Sequence, residues 1–196
     1  MKSRLLVKII LLFSIGALSR SLIASDSQSS ETAPLSTISS LDVARYMGDW
    51  YEIAKYPNRF QKKCASDDRA EYSLRNDGSV QVVNRCKLEN GDANQVTGTA
   101  RQIGGPTSPK FEVRFAPAWL SFIPAVWGDY WIIDLDDAYQ LVAVSEPERK
   151  YLWILSRQPQ VPQQQYEELL KRLEQKGFDT RKLVPTRHEG APNNER

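Results

Sequence analysis

The chain has 196 residues, of which 41% are hydrophobic and 26% charged, and this balance predicts one globular domain and excludes a wholly disordered chain. The formal net charge is +2, but four of the 26 basic residues lie in the first 25 positions, where no acid occurs. Removing those four leaves 22 basic residues against 24 acidic ones. The rest of the chain therefore has no general attraction for nucleic acid or for an anionic membrane.

The first residues have the pattern of a secretory signal. Residues 9–18 form an apolar run, too short to span a bilayer, and three basic residues precede it, Lys2, Arg4 and Lys8. We expect a signal peptide at 1–24, with cleavage after Ser19, Ala24 or Ser25; the alternative is an uncleaved anchor. No cysteine follows the run, so no lipoprotein acylation site is expected. These features predict an exported protein, periplasmic, outer-membrane-associated or extracellular.

Strand patterns dominate the middle of the chain. Residues 25–40 are rich in Ser and Thr and are expected to form a flexible linker. Eight short apolar segments separated by turn signals then follow, at 50–56, 69–74, 80–87, 94–103, 110–116, 129–135, 139–145 and 151–156. Tight turns between successive strands predict an all-β protein, an eight-stranded antiparallel up-and-down β-barrel, because closing the sheet removes its edges.

One helix is predicted after the last strand. Apolar residues recur at helical spacing, Tyr166, Leu169, Leu170 and Leu173, between Pro162 and Gly177. The single apolar stripe predicts a C-terminal α-helix packed outside the barrel. The barrel domain is then expected at 41–187, followed by a disordered tail at 188–196.

Cys64 and Cys86 flank a hairpin turn signal at 75–78. Folding the hairpin brings the two cysteines together, and an even count in an exported chain favours a disulfide bond. The alternative is two free thiols, including a nucleophilic cysteine. A nucleophile needs a basic partner, and the one histidine of the chain, His188, belongs to the predicted tail.

Three motifs resemble the lipocalin signatures. Gly48-Asp49-Trp50-Tyr51-Glu52-Ile53-Ala54 looks like the Gly-x-Trp motif of the first lipocalin strand, and Leu152 to Arg157 resembles the motif of the last. Leu135-Asp136 with Tyr139 resembles the second motif, although Leu135 stands where the family has Thr. The resemblance covers about 38–187 and is strongest to bacterial lipocalins and their apolipoprotein D-like relatives.

In an up-and-down barrel, every second loop lies at the same end. The start of the first strand, the loop between the sixth and seventh strands and the end of the last strand therefore share one end, which places Trp50, Asp136 and Arg157 together. The resemblance implies that Arg157 packs across the Trp50 indole and closes the barrel floor, a cation–π contact. The floor signature then comprises Gly48, Trp50, Asp136, Tyr139 and Arg157, with structural rather than catalytic roles.

The walls are expected to face a ligand. Alternation along the last strand points Tyr151 and Trp153 inward with Leu155 if Arg157 lies at the floor. The predicted ligand-binding residues are Trp153, Tyr151, Val82, Asn84, Phe111, Val113, Trp127 and Trp119. On the strands before the last one, a register error of one residue would turn the inward side chains outward. Apolar walls suit a fatty acid, a lysophospholipid or another amphiphile, with no cofactor or metal. Three cations at the open rim either meet its head group or are simply solvated, Arg59, Lys62 and Lys63.

The connection at 117–128 carries Trp119, Phe122 and Trp127 without any charge. It predicts a hydrophobic lid, a ligand funnel, a membrane-touching patch or a dimer contact; alternatively it folds inward and completes the core. The chain is expected to be a monomer or a homodimer.

The sequence thus predicts a non-enzymatic protein that stores or carries a hydrophobic ligand, by resemblance in cell-envelope lipid maintenance. Two alternatives remain open. In the first, a filled barrel serves as an interaction protein. In the second, the barrel carries an enzyme site, although catalytic motifs are not apparent and the Asp67-Asp68 pair has the pattern of a solvated loop. An inward carboxylate with a shifted pKa would favour the enzyme.

Overall fold

The computed structural model describes residues 33–189. The predicted signal peptide at 1–24, residues 25–32 of the predicted linker and 190–196 of the predicted tail lie outside the described residues. Within the described part, no helix is both long and apolar enough to cross a membrane.

Eight antiparallel strands form a closed barrel, as the sequence predicts. They are β1 (Gly48–Lys55), β2 (Ser66–Leu74), β3 (Val80–Lys87), β4 (Ala93–Ile103), β5 (Lys110–Arg114), β6 (Gly128–Leu135), β7 (Leu141–Ser145) and β8 (Leu152–Ser156). Each pairs with the next in the chain, and β1 closes the ring by pairing with both β2 and β8. The predicted strand bounds differ from these by up to three residues.

The barrel wall separates two apolar cores. Side chains alternate along each strand, so Ile132 of β6 points into the barrel whereas Ile133 points out. Helix α2 (Gln163–Gln175) covers the outward face of β6, β7 and β8 with Leu169 and Leu173, both completely buried. The predicted helix outside the barrel is therefore confirmed, and an ion pair between Arg172 and Asp134 at 2.8 Å fixes it to the wall.

The segment before the barrel packs against it, which differs from the expectation of a flexible linker for residues 33–40. Leu35 is 7% exposed, and the Ile38 amide donates to the Ile132 carbonyl at 3.1 Å. A short helix, α1 (Val43–Tyr46), follows and places Tyr46 in the core inside the barrel. Although the stretch is rich in Ser and Thr, its apolar residues Leu35 and Ile38 pack it against the barrel.

The segment after α2 also packs on the barrel, so His188 does not lie in a disordered tail as the sequence predicts. A two-residue strand, β9 (Val184–Pro185), pairs with β1, and the Thr186 amide donates to the Ile53 carbonyl at 2.9 Å. His188 is 8% exposed, with Nε2 2.7 Å from the Glu52 carbonyl oxygen. The register of β1 against β8 shifts between Glu52 and Ala54, which is a β-bulge. The carbonyls of Glu52 and Ile53 at this bulge find their partners in the C-terminal segment instead.

Candidate ligand-binding site

The barrel encloses a cavity of about 860 Å³, within the range of 300 to 1,000 Å³ that is usual for small-molecule sites. Seven of the eight predicted ligand-binding residues line it, namely Trp153, Tyr151, Val82, Asn84, Phe111, Val113 and Trp127. Trp119 does not belong to the lining and is 72% exposed. The residues on β3, β5 and β8 face the cavity as alternation predicts, because the register of these strands continues without a bulge through these positions. Trp127 reaches the cavity from the loop before β6. That these residues bind a ligand stays a prediction.

Arg157 closes one end of the barrel. Its guanidinium carbon lies 3.9 Å from the centroid of the Trp50 indole, as the resemblance implies. The guanidinium also donates to backbone carbonyls of Asp49 at 2.7 Å and Met47 at 2.8 Å. Burial lowers the pKa of Arg157 from its usual value, but the group stays charged. This end of the barrel is therefore sealed by a cation that the backbone solvates.

The other floor residues shape this end. Asp136 accepts the amides of Leu141 at 2.6 Å and Gln140 at 2.7 Å, which fixes the turn between β6 and β7. Tyr139 takes a positive φ of 59° in that turn, and its hydroxyl accepts the Asp42 amide at 3.0 Å. Gly48 has a φ of 97°, and a Cβ there would lie 3.3 Å from the Arg157 guanidinium. These contacts hold the backbone in place at this end of the barrel.

Three tyrosine hydroxyls meet inside the barrel, a feature that the sequence analysis missed. The Tyr130 hydroxyl lies 2.7 Å from that of Tyr46 and 3.0 Å from that of Tyr72. All three residues line the cavity, and we call them the tyrosine cluster. Burial raises the pKa of each phenol, that of Tyr72 to about 12, so the cluster stays neutral.

Toward the open end, the wall carries a buried polar cluster. Gln61 donates to Glu52 at 2.5 Å and to Asp68 at 2.8 Å, and Lys55 lies 2.7 Å from Glu52 and 3.4 Å from Asp68. The Trp153 indole donates to the Gln61 amide oxygen at 2.9 Å, so the cluster also orients a predicted ligand-binding residue.

Asp68 does not lie in a solvated loop, which corrects the sequence-based interpretation of the Asp67-Asp68 pair. It lies on β2, lines the cavity and is 4% exposed. Burial and the neighbouring charge of Glu52 raise its pKa. This is the inward, shifted carboxylate that would favour an enzyme, yet Lys55 and Gln61 already contact it. The arrangement suits a compensated wall charge more than a free acid or base.

A disulfide joins Cys64 to Cys86, as predicted, with an S–S distance of 2.00 Å and a Cα–Cα distance of 5.6 Å. Both residues line the cavity near its mouth. The bond ties the loop between β1 and β2 to the end of β3. It therefore also restrains Gln61, which lies in that loop and contacts the polar cluster.

The loop between β5 and β6 divides into two parts. Trp127 lines the cavity, and its indole donates to the Ser121 carbonyl at 2.8 Å, with the Arg101 guanidinium 4.1 Å above the ring. The preceding part points outward: Trp119 is 72% exposed and Phe122 77%. It does not fold inward to complete the core, which corrects that alternative. We define the rim patch as the exposed aromatic side chains at this end, Phe60, Phe115, Trp119 and Phe122.

Comparisons with known proteins agree with this geometry. The family model of the lipocalin-like domain matches residues 41–188. Temperature-induced lipocalin-1 of Arabidopsis thaliana is 38% identical over 83% of this chain and 87% of its own length. Outer membrane lipoprotein Blc of Escherichia coli is 35% identical over 83% and 89%, respectively. The structure of insecticyanin from the tobacco hornworm Manduca sexta has a TM-score of 0.61 at 18% identity, covering 80% of this chain and 85% of that one. The chain belongs to the lipocalin family.

Proposed function

We propose that this lipocalin binds one small amphiphile, a fatty acid or a lysophospholipid, with its hydrocarbon chain inside the barrel. The observation that carries the proposal is the cavity of about 860 Å³, lined on β3 and β5 by inward apolar side chains such as Val82 and Phe111. Burying a hydrocarbon chain there gains about 0.8 kcal/mol per methylene group. A barrel filled by its own side chains would not leave such a volume, so the interaction-protein alternative is disfavoured.

The charges around the mouth favour a head group that carries both signs. Arg59 and Lys150 line this region, and so do Glu146 and Glu148. The buried pair of Glu52 and Asp68 adds negative charge, which Lys55 balances in part. A lysophospholipid with a phosphate and an amine finds partners for both groups, whereas a fatty acid carboxylate meets acids as well as bases.

The rim patch supports contact with a membrane. It lies at the same end of the barrel as the cavity mouth, and Arg59 neighbours Phe60 with its guanidinium 5.2 Å from that ring. Aromatic side chains beside a cation are suited to the boundary between head groups and acyl chains. An amphiphile then passes between bilayer and cavity without crossing bulk water.

We place this activity in lipid storage or transport at the cell envelope, after export directed by residues 1–24. The name of the Escherichia coli relative places that protein in the outer membrane, which supports an envelope role here. The protein is proposed to act without catalysis, as a carrier.

Native mass spectrometry with tryptophan fluorescence tests the carrier function. The purified protein is titrated with a lysophospholipid and with a fatty acid of the same chain length. We expect saturable binding of one ligand per chain, with the lysophospholipid bound more tightly. Val82→Glu places a charge in the cavity and should abolish binding, whereas Val184→Glu, at an exposed position on β9, should not. Absence of binding to either lipid in the unaltered protein would refute the proposal. The same spectra separate monomer from homodimer.

A further inference from the structure

The tyrosine cluster has more hydroxyl protons than hydrogen bonds in which those protons are donated. Tyr46, Tyr72 and Tyr130 supply three O–H donors, and their hydroxyls make two contacts, both to Tyr130. Each contact uses one proton, so one remains. Within residues 33–189 no further hydrogen bond is made by any of the three hydroxyls.

Among the described residues, none of the three hydroxyls donates the remaining proton to an acceptor outside the cluster. The core around the cluster contains rings and aliphatic side chains, with Phe111 6.4 Å from Tyr130 between ring centroids and Val82 in the same core. Glu52 and Arg157 act on Tyr72 electrostatically, but neither makes a hydrogen bond with its hydroxyl. Tyr46 and Tyr72 are 2% and 7% exposed, so bulk water does not solvate their hydroxyls freely. A buried donor without a partner is costly, and a ligand oxygen that reaches it removes that cost.

We infer that the tyrosine cluster is a hydrogen-bond subsite for a neutral oxygen atom at the buried end of the ligand. The inference rests on the proposed function and specifies its ligand class: amphiphiles whose hydrocarbon chain ends in a hydroxyl, keto or ester oxygen. An ionised carboxylate does not fit. The nearby cation, Arg157, is already engaged by the indole of Trp50 and by backbone carbonyls. A buried charge would have no counterion.

Pairs of probes test the subsite: saturated fatty acids from dodecanoic to octadecanoic acid, each compared with its ω-hydroxy derivative in a fluorescence titration. A hydroxyl buried without a partner weakens binding by about tenfold or more. We expect the ω-hydroxy acid to bind at least as tightly as its parent at the chain length that reaches the cluster, and to bind more weakly when the chain is shorter. A penalty of tenfold at every length would overturn the inference.

Two variants assign the effect to the cluster. Tyr46→Phe/Tyr72→Phe leaves the Tyr130 hydroxyl with a free proton and should keep the tolerance for the ω-hydroxy acid. Adding Tyr130→Phe removes the last donor, and the affinity for the ω-hydroxy acid relative to the parent acid should fall by about tenfold. Binding of the parent acids shows that each variant is folded. If neither the parent acids nor a lysophospholipid binds the unaltered protein, the proposed function fails. If they bind and the last substitution changes nothing, only the subsite fails.

Discussion

Arg157 lies against Trp50 at the closed end of the barrel, with its guanidinium carbon 3.9 Å from the indole centroid. The same guanidinium donates to carbonyls in the segment that follows α1 and in the first residues of β1. One side chain thus joins the end of β8 to the start of β1. Under the proposed function, the ligand then enters at the opposite rim.

Replacing Arg157 by Lys should destabilise the fold while keeping the charge. A single ammonium group cannot stack on an indole and bridge several carbonyls as the planar guanidinium does. We expect the free energy of unfolding to fall by about 1–3 kcal/mol in urea titrations. Arg181→Lys is the control, since Arg181 is exposed and pairs with Asp179 alone in the described structure; it should change stability by about 0.5 kcal/mol or less. Equal effects of the two changes would contradict the sealing role of Arg157.

Removing the disulfide by Cys64→Ala/Cys86→Ala should lower the free energy of unfolding by about 2–4 kcal/mol. The bond closes a loop with a sequence separation of 22 residues, so its loss returns conformational freedom to the unfolded chain. Gln61 also becomes less restrained, and ligand affinity should fall. Thermal unfolding with and without reductant measures the effect. Reductant should shift the melting temperature of the unaltered protein and leave that of the double variant unchanged; a shift in neither would show that the bond contributes nothing.

Asp68 should make stability depend on pH. Burial and the charge of Glu52 raise its pKa above the usual 3.8, so the folded protein binds this proton more tightly than the unfolded chain does. The contribution of Asp68 to stability therefore increases as pH falls from the raised pKa toward 3.8 and declines as pH rises through that window. Asp68→Asn should flatten the profile there, as urea titrations at several pH values would show. An unchanged slope would contradict the assignment.

The same substitution should change ligand preference. Asp68→Asn removes a negative charge from the cavity wall, so the affinity for a fatty acid anion should rise severalfold at neutral pH. Asp137→Asn, an exposed position at the closed end, is the matched control and should leave affinity unchanged. Fluorescence titrations of both variants with the same fatty acid give the comparison. If Asp68→Asn leaves that affinity unchanged or lowers it, Asp68 does not act on the bound head group.

The rim patch should govern membrane association. Trp119→Ser/Phe122→Ser removes two exposed rings, and binding to phospholipid vesicles in a sedimentation assay should weaken by at least about tenfold. Ligand titration should be unaffected, because neither residue lines the cavity. Leu74→Ser is the control, since Leu74 is 52% exposed on β2 at the opposite end. Vesicle binding that is insensitive to the double change would exclude the patch as the contact.

The barrel was predictable from sequence because its determinants are local. Alternation in β3 and β5 and the turn signals between strands fix which side chains face inward, and Val82 and Phe111 follow that rule. The tyrosine cluster was not predictable in this way. Tyr46 precedes β1 and Tyr130 lies 84 residues later, so their hydrogen bond depends on how α1 enters the barrel.

Asp68 and His188 show a second reason for error. Each lies in a polar stretch that is typical of a loop or a tail, yet both are buried. A register shift in β2 between Ser66 and Arg69 leaves the Asp67 amide without a partner in the barrel, and the Arg187 carbonyl accepts it at 2.8 Å. Such register shifts depend on how the strands pair in the folded barrel. The local sequence pattern therefore does not show which C-terminal residues will hydrogen-bond to the backbone groups that a shift leaves unpaired.

The central claim, that a lipid chain lies inside the barrel, is tested most directly by photolabelling. A fatty acid with a diazirine at the end of its chain is bound and irradiated, and the labelled residues are mapped by mass spectrometry. We predict labels on inward side chains near the closed end, Val82, Phe111 or Tyr130, and loss of labelling when unlabelled lysophospholipid competes. Labels confined to Trp119 and Phe122 of the rim patch would contradict the claim, because the lipid would then only coat the outside of a barrel that it does not enter.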